Sequence, residues 1–305
     1  MKISVIIPTY KSREKDVRKL INILLRMRRD IYEIFLVIDE SESILEYLAK
    51  FEKKCRIFKI LFSKKRRGRC KAKNEGAKMA KGDILVFLDD DVEILNRNYF
   101  KILSEDFSNH RIAAVSGKEI KNKKISKIKR FISNKVGLIT SLGEVISNFD
   151  TPLKRPKIVL ALPGCNFAIR RDVFQLVGGF DENYDIGTAY REETDLQMRV
   201  TKLGYKLLFD PRISVIHKER ESPDGLKRWF KWYYILNTYF FLKNFTPSTF
   251  KFLLFVFKEI LGSMARILIY KKPYPIIYLP GIIHGIMYFK EKIKKSCTSR
   301  SKSLI

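Results

Sequence analysis

The first run of the chain, Ile3-Ser4-Val5-Ile6-Ile7, is β-branched and closes at Pro8. Over residues 14–27 the apolar positions Val17, Leu20, Ile21, Leu24 and Leu25 then fall at helical spacing. The couplet repeats: strand patterns at residues 33–38, 57–62 and 84–88 alternate with helical patterns at residues 44–51 and 71–80. Four strands separated by three helices predict a parallel sheet with helices on both faces, and the uninterrupted apolar strands agree with burial from both sides. Open sheets of this kind bind ligands beyond the C-terminal ends of their strands. The loops after Ile7, Ile38, Phe62 and Leu88 are therefore the expected mouth.

Beyond residue 117 the pattern weakens. Residues 118–130 are strongly basic and residues up to about Pro156 show no period, which predicts a mobile insertion. Order returns with strand-like residues 158–169, a short helix at residues 171–177, the Gly178-Gly179 turn, a helix at residues 192–203, and strands near residues 206–209 and 214–216. The expected organisation is a domain at residues 1–220, made of a first half with the ligand mouth (1–117), a variable insertion (118–160) and a second half (161–220). Residues 221–305 follow as a separate aromatic-rich region.

That last region changes what the charge implies. The chain has 305 residues and a net charge of +28, which attracts anions without choosing among nucleic acid, acidic lipid and nucleotide phosphate. Residues 229–242 are rich in aromatics, residues 252–270 are apolar but broken by Lys258, Glu259 and Arg266, and residues 273–289 are uncharged. The last stretch only reaches the lower limit of a membrane span, and its prolines argue against one straight helix. An interfacial element backed by the basic tail is expected, so an anionic membrane surface is the predicted partner. A helical subdomain packed on the core is the alternative. The scattered Cys55, Cys70, Cys165 and Cys297 predict reduced thiols, and the N-terminus has no signal-peptide pattern, so a cytoplasmic location is expected. The Lys-, Ile- and Glu-rich, glutamine-poor composition is a bias met in proteins from hot environments.

Two acidic clusters carry the chemistry. Asp89-Asp90-Asp91 ends an apolar strand, and hard carboxylate oxygens in that place suit Mg²⁺ or Mn²⁺. Glu192-Glu193-Thr194-Asp195 opens an amphipathic helix, where acids also favour the helix dipole without any further role.

Seven pieces follow one another along the chain: Ile6-Ile7-Pro8-Thr9-Tyr10, Val37-Ile38-Asp39-Glu40, Ala72-Lys73-Asn74-Glu75-Gly76, Phe87-Leu88-Asp89-Asp90-Asp91, the run from Pro163 to Arg171, Gly178-Gly179-Phe180-Asp181-Glu182, and Glu192-Glu193-Thr194-Asp195-Leu196. In this order and spacing they resemble the inverting nucleotide-sugar glycosyltransferases of family two, with the GT-A fold. The resemblance covers about residues 2–217. It implies donor contacts from Pro8, Thr9, Tyr10, Asp39, Arg69, Lys73, Asn74, Asp89 and Asp90. It implies an acceptor side at Gly164, Cys165, Asn166 and Glu192, and a metal site of Asp91 and Asp89 with His217. The base is expected at Glu193, where the family usually has aspartate, with Asp195 as its rival. Most of the cationic loop Lys64-Lys65-Arg66-Arg67-Gly68-Arg69 is expected to be solvated, with Arg69 nearest the ligand.

The resemblance thus implies a metal-dependent transferase that moves a hexosyl group from a nucleotide diphosphate sugar to an acceptor hydroxyl; the cationic, aromatic C-terminal region points to a lipid-linked or envelope glycan as the acceptor, and no specific nucleic-acid partner is expected. A sugar nucleotidyltransferase would also place acidic metal ligands on an α/β sheet, but the first strand is not followed by a Gly-x-Gly-x-x-x-Arg loop. A basic nucleic-acid-binding protein would show steep salt dependence and indifference to Asp91→Ala.

Overall fold

The computed structural model describes residues 1–10, 14–52, 55–121, 135–218 and 225–302. The chain divides into two compact units, the first formed by Met1–Leu138, Val145–Asp181 and Leu196–Glu219 and the second by Ile139–Glu144, Glu182–Asp195 and Arg220–Ile305.

The first unit begins with the predicted alternation: β1 (Ile3–Tyr10), α1 (Glu14–Arg26), β2 (Glu33–Asp39), α2 (Glu42–Glu52), β3 (Phe58–Ser63), α3 (Arg69–Met79) and β4 (Ile84–Leu88). β1, β2 and β4 are buried almost throughout, as strands covered on both faces must be. Helix α1 buries Val17, Leu20, Ile21 and Leu24, one face of a 3.6-residue period, with Glu14 and Asp16 at its positive end. Helix α3 approaches the sheet closely at Gly76, where a Cβ would stand 2.6 Å from Ile6 Cγ2. Alanine there would push the helix off β1.

The sheet continues through β5 (Val92–Ile94), α4 (Tyr99–Asp106), β6 (Ile112–Lys121), the paired strands β7 (Leu138–Ile139) and β8 (Val145–Ile146), and β9 (Lys157–Val159). β10 (Asn166–Arg170), α5 (Arg171–Leu176), α6 (Glu192–Lys202) and β11 (Lys206–His217) complete the pattern. The order is β3-β2-β1-β4-β10-β6-β11-β5, with β9 also on β11. β1 to β4 are mutually parallel, β10 runs antiparallel to β4 and β6, and β11 is parallel to β6. The C-terminal ends of β4, β6 and β11 therefore share one edge.

Two expectations change here. The strands expected near 206–209 and 214–216 are one strand, β11, with a register irregularity between Phe209 and Ser214. Of the expected insertion, residues 122–134 lie outside the described residues. Lys118 to Lys121 extend β6, and β7 with β8 form a two-stranded ladder whose two-residue strands are too short to show a period.

The second unit contains α7 (Gly225–Phe245), α8 (Thr249–Tyr270), α9 (Tyr274–Ile277) and α10 (Gly281–Lys302). Helix α10 packs on α7 through glycine: a Cβ at Gly285 would meet the Ile235 carbonyl oxygen at 2.7 Å. The Phe241 and Phe255 rings stack at 4.2 Å between α7 and α8. Residues 273–289, expected at a membrane interface, form α9 and the start of α10 and bury Pro275 and Ile282. Among the described residues, no helix is long and apolar enough to cross a membrane.

Candidate functional site

The shared edge of β4, β6 and β11 gathers Asp89, Asp91 and Glu119 around His217. Leaving β4, the Asp89 amide donates to the Cys165 carbonyl at 3.0 Å, and Val92 enters β5 opposite His217, the last residue of β11. This pairing brings imidazole to carboxylates more than a hundred residues away. His217 Nε2 lies 3.3 Å from Asp91 Oδ1 and 3.7 Å from Asp89 Oδ2. Its Nδ1 lies 2.7 Å from Glu119 Oε1, two positions from the end of β6.

Burial alone would depress the His217 pKa, but hydrogen bonds to Asp91, Cys165 and Glu119 outweigh it and raise it far above its ordinary value. Burial pushes Glu119 up, yet His217 and Lys121 hold it below the usual carboxylate range. Cys165 is pushed up to about 12, by burial first and then by Glu119 and Asp89, so its thiol is neutral. The ligand atoms of Asp89, Asp91 and His217 lie within 4.8 Å of one another. Two carboxylates and one imidazole nitrogen suit Mn²⁺ or Mg²⁺, so the residues present fit such an ion. Asp89, Asp91 and His217 would hold it, and Glu119 would fix the tautomer and orientation of the ring. Glu119, Cys165 and His217 also converge within 4.8 Å.

Along the same edge, Pro8 and Tyr10 are half-buried, and Thr9 is buried with no hydrogen-bond partner for its hydroxyl among the described residues. The Arg66 guanidinium stacks over Tyr10 at 4.6 Å. Asp39 is held by a residue of the cationic loop: Arg67 Nε donates to Oδ1 at 2.7 Å and its amide to Oδ2 at 2.8 Å. Arg67 also reaches Glu75 at 2.6 Å and the carbonyls of Ile38 and Leu61. As expected, Lys64, Lys65, Arg66 and Arg69 of that loop are exposed; Arg67 is the exception, only 12 % exposed, because two carboxylates and the carbonyls of Ile38 and Leu61 converge on it. Glu40, in the left-handed region at φ 55°, accepts from the Arg66 amide and helps to fold the loop back.

On α3, Arg69 is exposed, whereas Lys73 is buried with its ammonium 4.8 Å from the Phe180 ring. Asn74 gives both ends of its amide to the Phe180 backbone, donating to the carbonyl and accepting from the N–H, each at 2.9 Å. Asp90 is buried beside the edge. Gly164 is half-buried, Cys165 and Asn166 are buried, and Asn166 Oδ1 accepts from Ser116 Oγ at 2.6 Å. Asn166 Nδ2 has no hydrogen-bond partner among the described residues.

The second acidic cluster belongs to the second unit, at the start of α6. Asp195 is fully buried; Lys243 donates to its Oδ1 at 2.8 Å and Oδ2 at 2.9 Å, and Asn244 donates to Oδ1 at 2.8 Å. Glu192 is also buried, while Glu193 between them is half-buried. The turn before them is strained, with Ala189 at φ 54° and Arg191 at φ 80°. Arg191 is held there by Asn237, whose Oδ1 accepts from Nε at 3.0 Å, and by stacking on Tyr190 and Phe240.

The family model of Glycosyl transferase family 2 matches residues 4–178, more than half of the chain. The chain belongs to that family. Its family 2 sequence is 27 % identical over 237 residues to the probable glycosyltransferase YdaM of Bacillus subtilis (strain 168), covering 75 % of this chain and 53 % of YdaM. It is 25 % identical over 148 residues to the O-antigen chain rhamnosyltransferase WbaN of Salmonella anatum, covering 48 % of this chain and 44 % of WbaN. The chain thus spans about half the length of these relatives. In fold it is similar to the mannosyltransferase PcManGT from Pyrobaculum calidifontis, solved with GDP-Man and Mn²⁺, at a TM-score of 0.55 and 16 % identity. That match covers 94 % of this chain and 86 % of PcManGT. The mixed sheet flanked by helices is the GT-A architecture expected for family 2.

Within this family 2 fold, several residues that contact the candidate side chains of each unit were not singled out by sequence. Glu119 sits at the end of a strand that merges into a basic run, Arg67 is one cation among five in its loop, and Lys243 and Asn244 lie in an aromatic stretch. No local pattern marks them. Their roles arise from strand order and from packing within each unit.

Proposed function

We propose that this chain is a metal-dependent, inverting glycosyltransferase. In this reading it moves a hexosyl group from a nucleotide diphosphate sugar to an acceptor hydroxyl of a cell-envelope or lipid-linked glycan. The observation that carries it is the convergence of Asp89, Asp91 and His217 at the C-terminal edge of a family 2 sheet. The glycan class follows WbaN, and the nucleotide sugar and Mn²⁺ follow PcManGT.

Pro8, Thr9 and Tyr10 border the nucleotide in this proposal, with Tyr10 offering a ring face to the base. Asp39 reads the base or ribose while Arg67 fixes its carboxylate. Thr9 Oγ1, buried without a partner, would gain one from the donor. Asp89, Asp91 and His217 would hold a divalent cation, which would supply positive charge against the departing diphosphate. Glu193 takes the acceptor hydroxyl's proton as that oxygen attacks the anomeric carbon from the face opposite the leaving group, which inverts its configuration. Asp195 is the weaker candidate, since Lys243 and Asn244 already occupy its oxygens. Asn74 serves the Phe180 turn, and Gly164, Cys165, Asn166 and Glu192 border the acceptor side. The proposed setting is the cytoplasmic face of an anionic membrane.

The test is a panel of UDP-, dTDP- and GDP-sugars with Mn²⁺. At least one should bind in a metal-dependent way and be slowly hydrolysed, and Asp91→Ala should abolish both. A panel with no metal-dependent binding and no hydrolysis would defeat the proposal.

A further inference from the structure

Helix α8 is amphipathic in the wrong sense for a helix facing water. Phe250, Leu253, Phe257, Leu261, Met264 and Leu268 recur at three- and four-residue steps and form one stripe along it. All six are exposed, Phe250 by 71 % and Leu268 by 80 %. At about 1.5 Å per residue the stripe runs roughly 27 Å. The opposite side carries the polar groups, and it is buried. Glu259 and Ser263 are fully buried there. Glu259 accepts from Asn237 at 3.0 Å and pairs with Lys258 at 2.8 Å and Arg266 at 3.2 Å. The second unit thus keeps the helix's charges inside and turns its apolar side outward. An exposed apolar stripe this long marks a surface that something non-aqueous covers.

We infer that the exposed stripe of α8 lies in the interfacial layer of a bilayer rich in anionic lipid, with the helix axis along the membrane plane. Charge selects this occupant. From Gly225 to the C-terminus the chain carries fifteen lysines and arginines against two glutamates, Glu259 and Glu291. Both glutamates are already paired with cations of the same unit, Glu291 with Lys295 at 2.6 Å. Lys271 and Lys272 are exposed where α8 ends, immediately after the stripe. A second copy seated on the stripe would bring the same excess of positive charge, whereas anionic headgroups neutralise it while the acyl layer takes the apolar side chains. Residues 273–289, the region whose sequence first suggests an interface, are in part packed within the unit. The exposed surface lies one helix earlier.

The inference rests on the membrane setting proposed above, but its test needs no donor sugar. The full-length chain is sedimented with vesicles of phosphatidylcholine alone and of phosphatidylcholine and phosphatidylglycerol in equal parts. The wild type should bind the anionic vesicles strongly and the neutral ones weakly. Phe257→Glu with Leu261→Glu and Leu268→Glu should weaken binding by a factor on the order of a hundred. Lys271→Glu with Lys272→Glu should weaken it only at low salt. Circular dichroism melting and Mn²⁺ binding of the variants should match the wild type, since the altered side chains are exposed and belong to no site. Equal vesicle binding by the triple variant would overturn the inference. So would a wild type that ignores vesicles and forms a dimer which the triple substitution dissociates. A chain that binds vesicles but no nucleotide sugar would refute the transferase proposal and leave the surface assigned here intact.

Discussion

Replacing Asp195 by asparagine should cost stability, whereas replacing Glu193 by glutamine should cost catalysis. Asp195 is fully buried and receives two hydrogen bonds from Lys243, at 2.8 and 2.9 Å, and one from Asn244. Breaking a buried ion pair by removing one partner costs about 3–5 kcal/mol. Lys243 retains 27 % exposure, so water recovers part of that loss, and the new amide oxygen still accepts from Asn244. A net loss of about 2 kcal/mol follows, the size of a charge-assisted hydrogen bond. That corresponds to a fall in Tm of roughly 4–8 °C. Glu193→Gln removes a half-buried carboxylate whose proposed work is proton transfer, so its stability change should stay within about 0.5 kcal/mol while turnover falls on the order of 10²–10⁴-fold. The assay pairs thermal melting with release of nucleoside diphosphate from the donor found in the panel, water standing in for the acceptor. Should Asp195→Asn melt like the wild type and lose turnover with donor binding intact, while Glu193→Gln turns over normally, the assignment is reversed.

Glu119→Gln should weaken Mn²⁺ binding about 10–100-fold in calorimetry without sugar or acceptor, because the ring of His217 loses the anionic partner that orients it; unchanged affinity would remove Glu119 from the site. A pH-dependent effect is expected on the far side of the first unit, where burial, and then the neighbouring Asp210, push Asp106 up to about 7 against the pull of Arg212. The native state then holds a proton that the unfolded chain releases near pH 3.8, so this carboxyl's contribution to stability is fully present below that pH and is lost as pH rises to about 7. Asp106→Asn should flatten that decline, by up to about 1.4 kcal/mol per pH unit, and melting curves between pH 4 and 8 that match the wild type would contradict it.

The parallel half of the sheet was legible because β1, β2 and β4 are buried on both faces, and burial forces apolar continuity that a reader of sequence sees. The antiparallel half was not. β10 pairs with β4 and β6 across intervals of some fifty to eighty residues, and nothing local encodes such a choice of neighbour. The acidic edge was legible for a similar reason, since carboxylates after a buried strand are rare enough to stand out. Arg67 was hidden by the cations around it, and its distinction is geometric: its guanidinium reaches Asp39, Glu75 and the carbonyls of Ile38 and Leu61 at once. Helix α8 shows the opposite limit. Its 3.6-residue period is plain in sequence, but a period says only that two sides differ, and packing within the second unit decided that the charged side would face inward.

The clasp between Asn74 and the Phe180 backbone bears on how such a chain can change. Gly179 has φ 70°, and a Cβ added to it would stand 2.8 Å from the Asn74 side-chain oxygen that accepts from Phe180 N–H. The amide and the glycine therefore fit only each other. A larger residue at 179 would displace Asn74, and a side chain at 74 lacking either a donor or an acceptor would leave the turn unfastened. Two motifs read as separate words, a hundred residues apart, are the halves of one fastening, and any drift that keeps the fold must alter both together or neither.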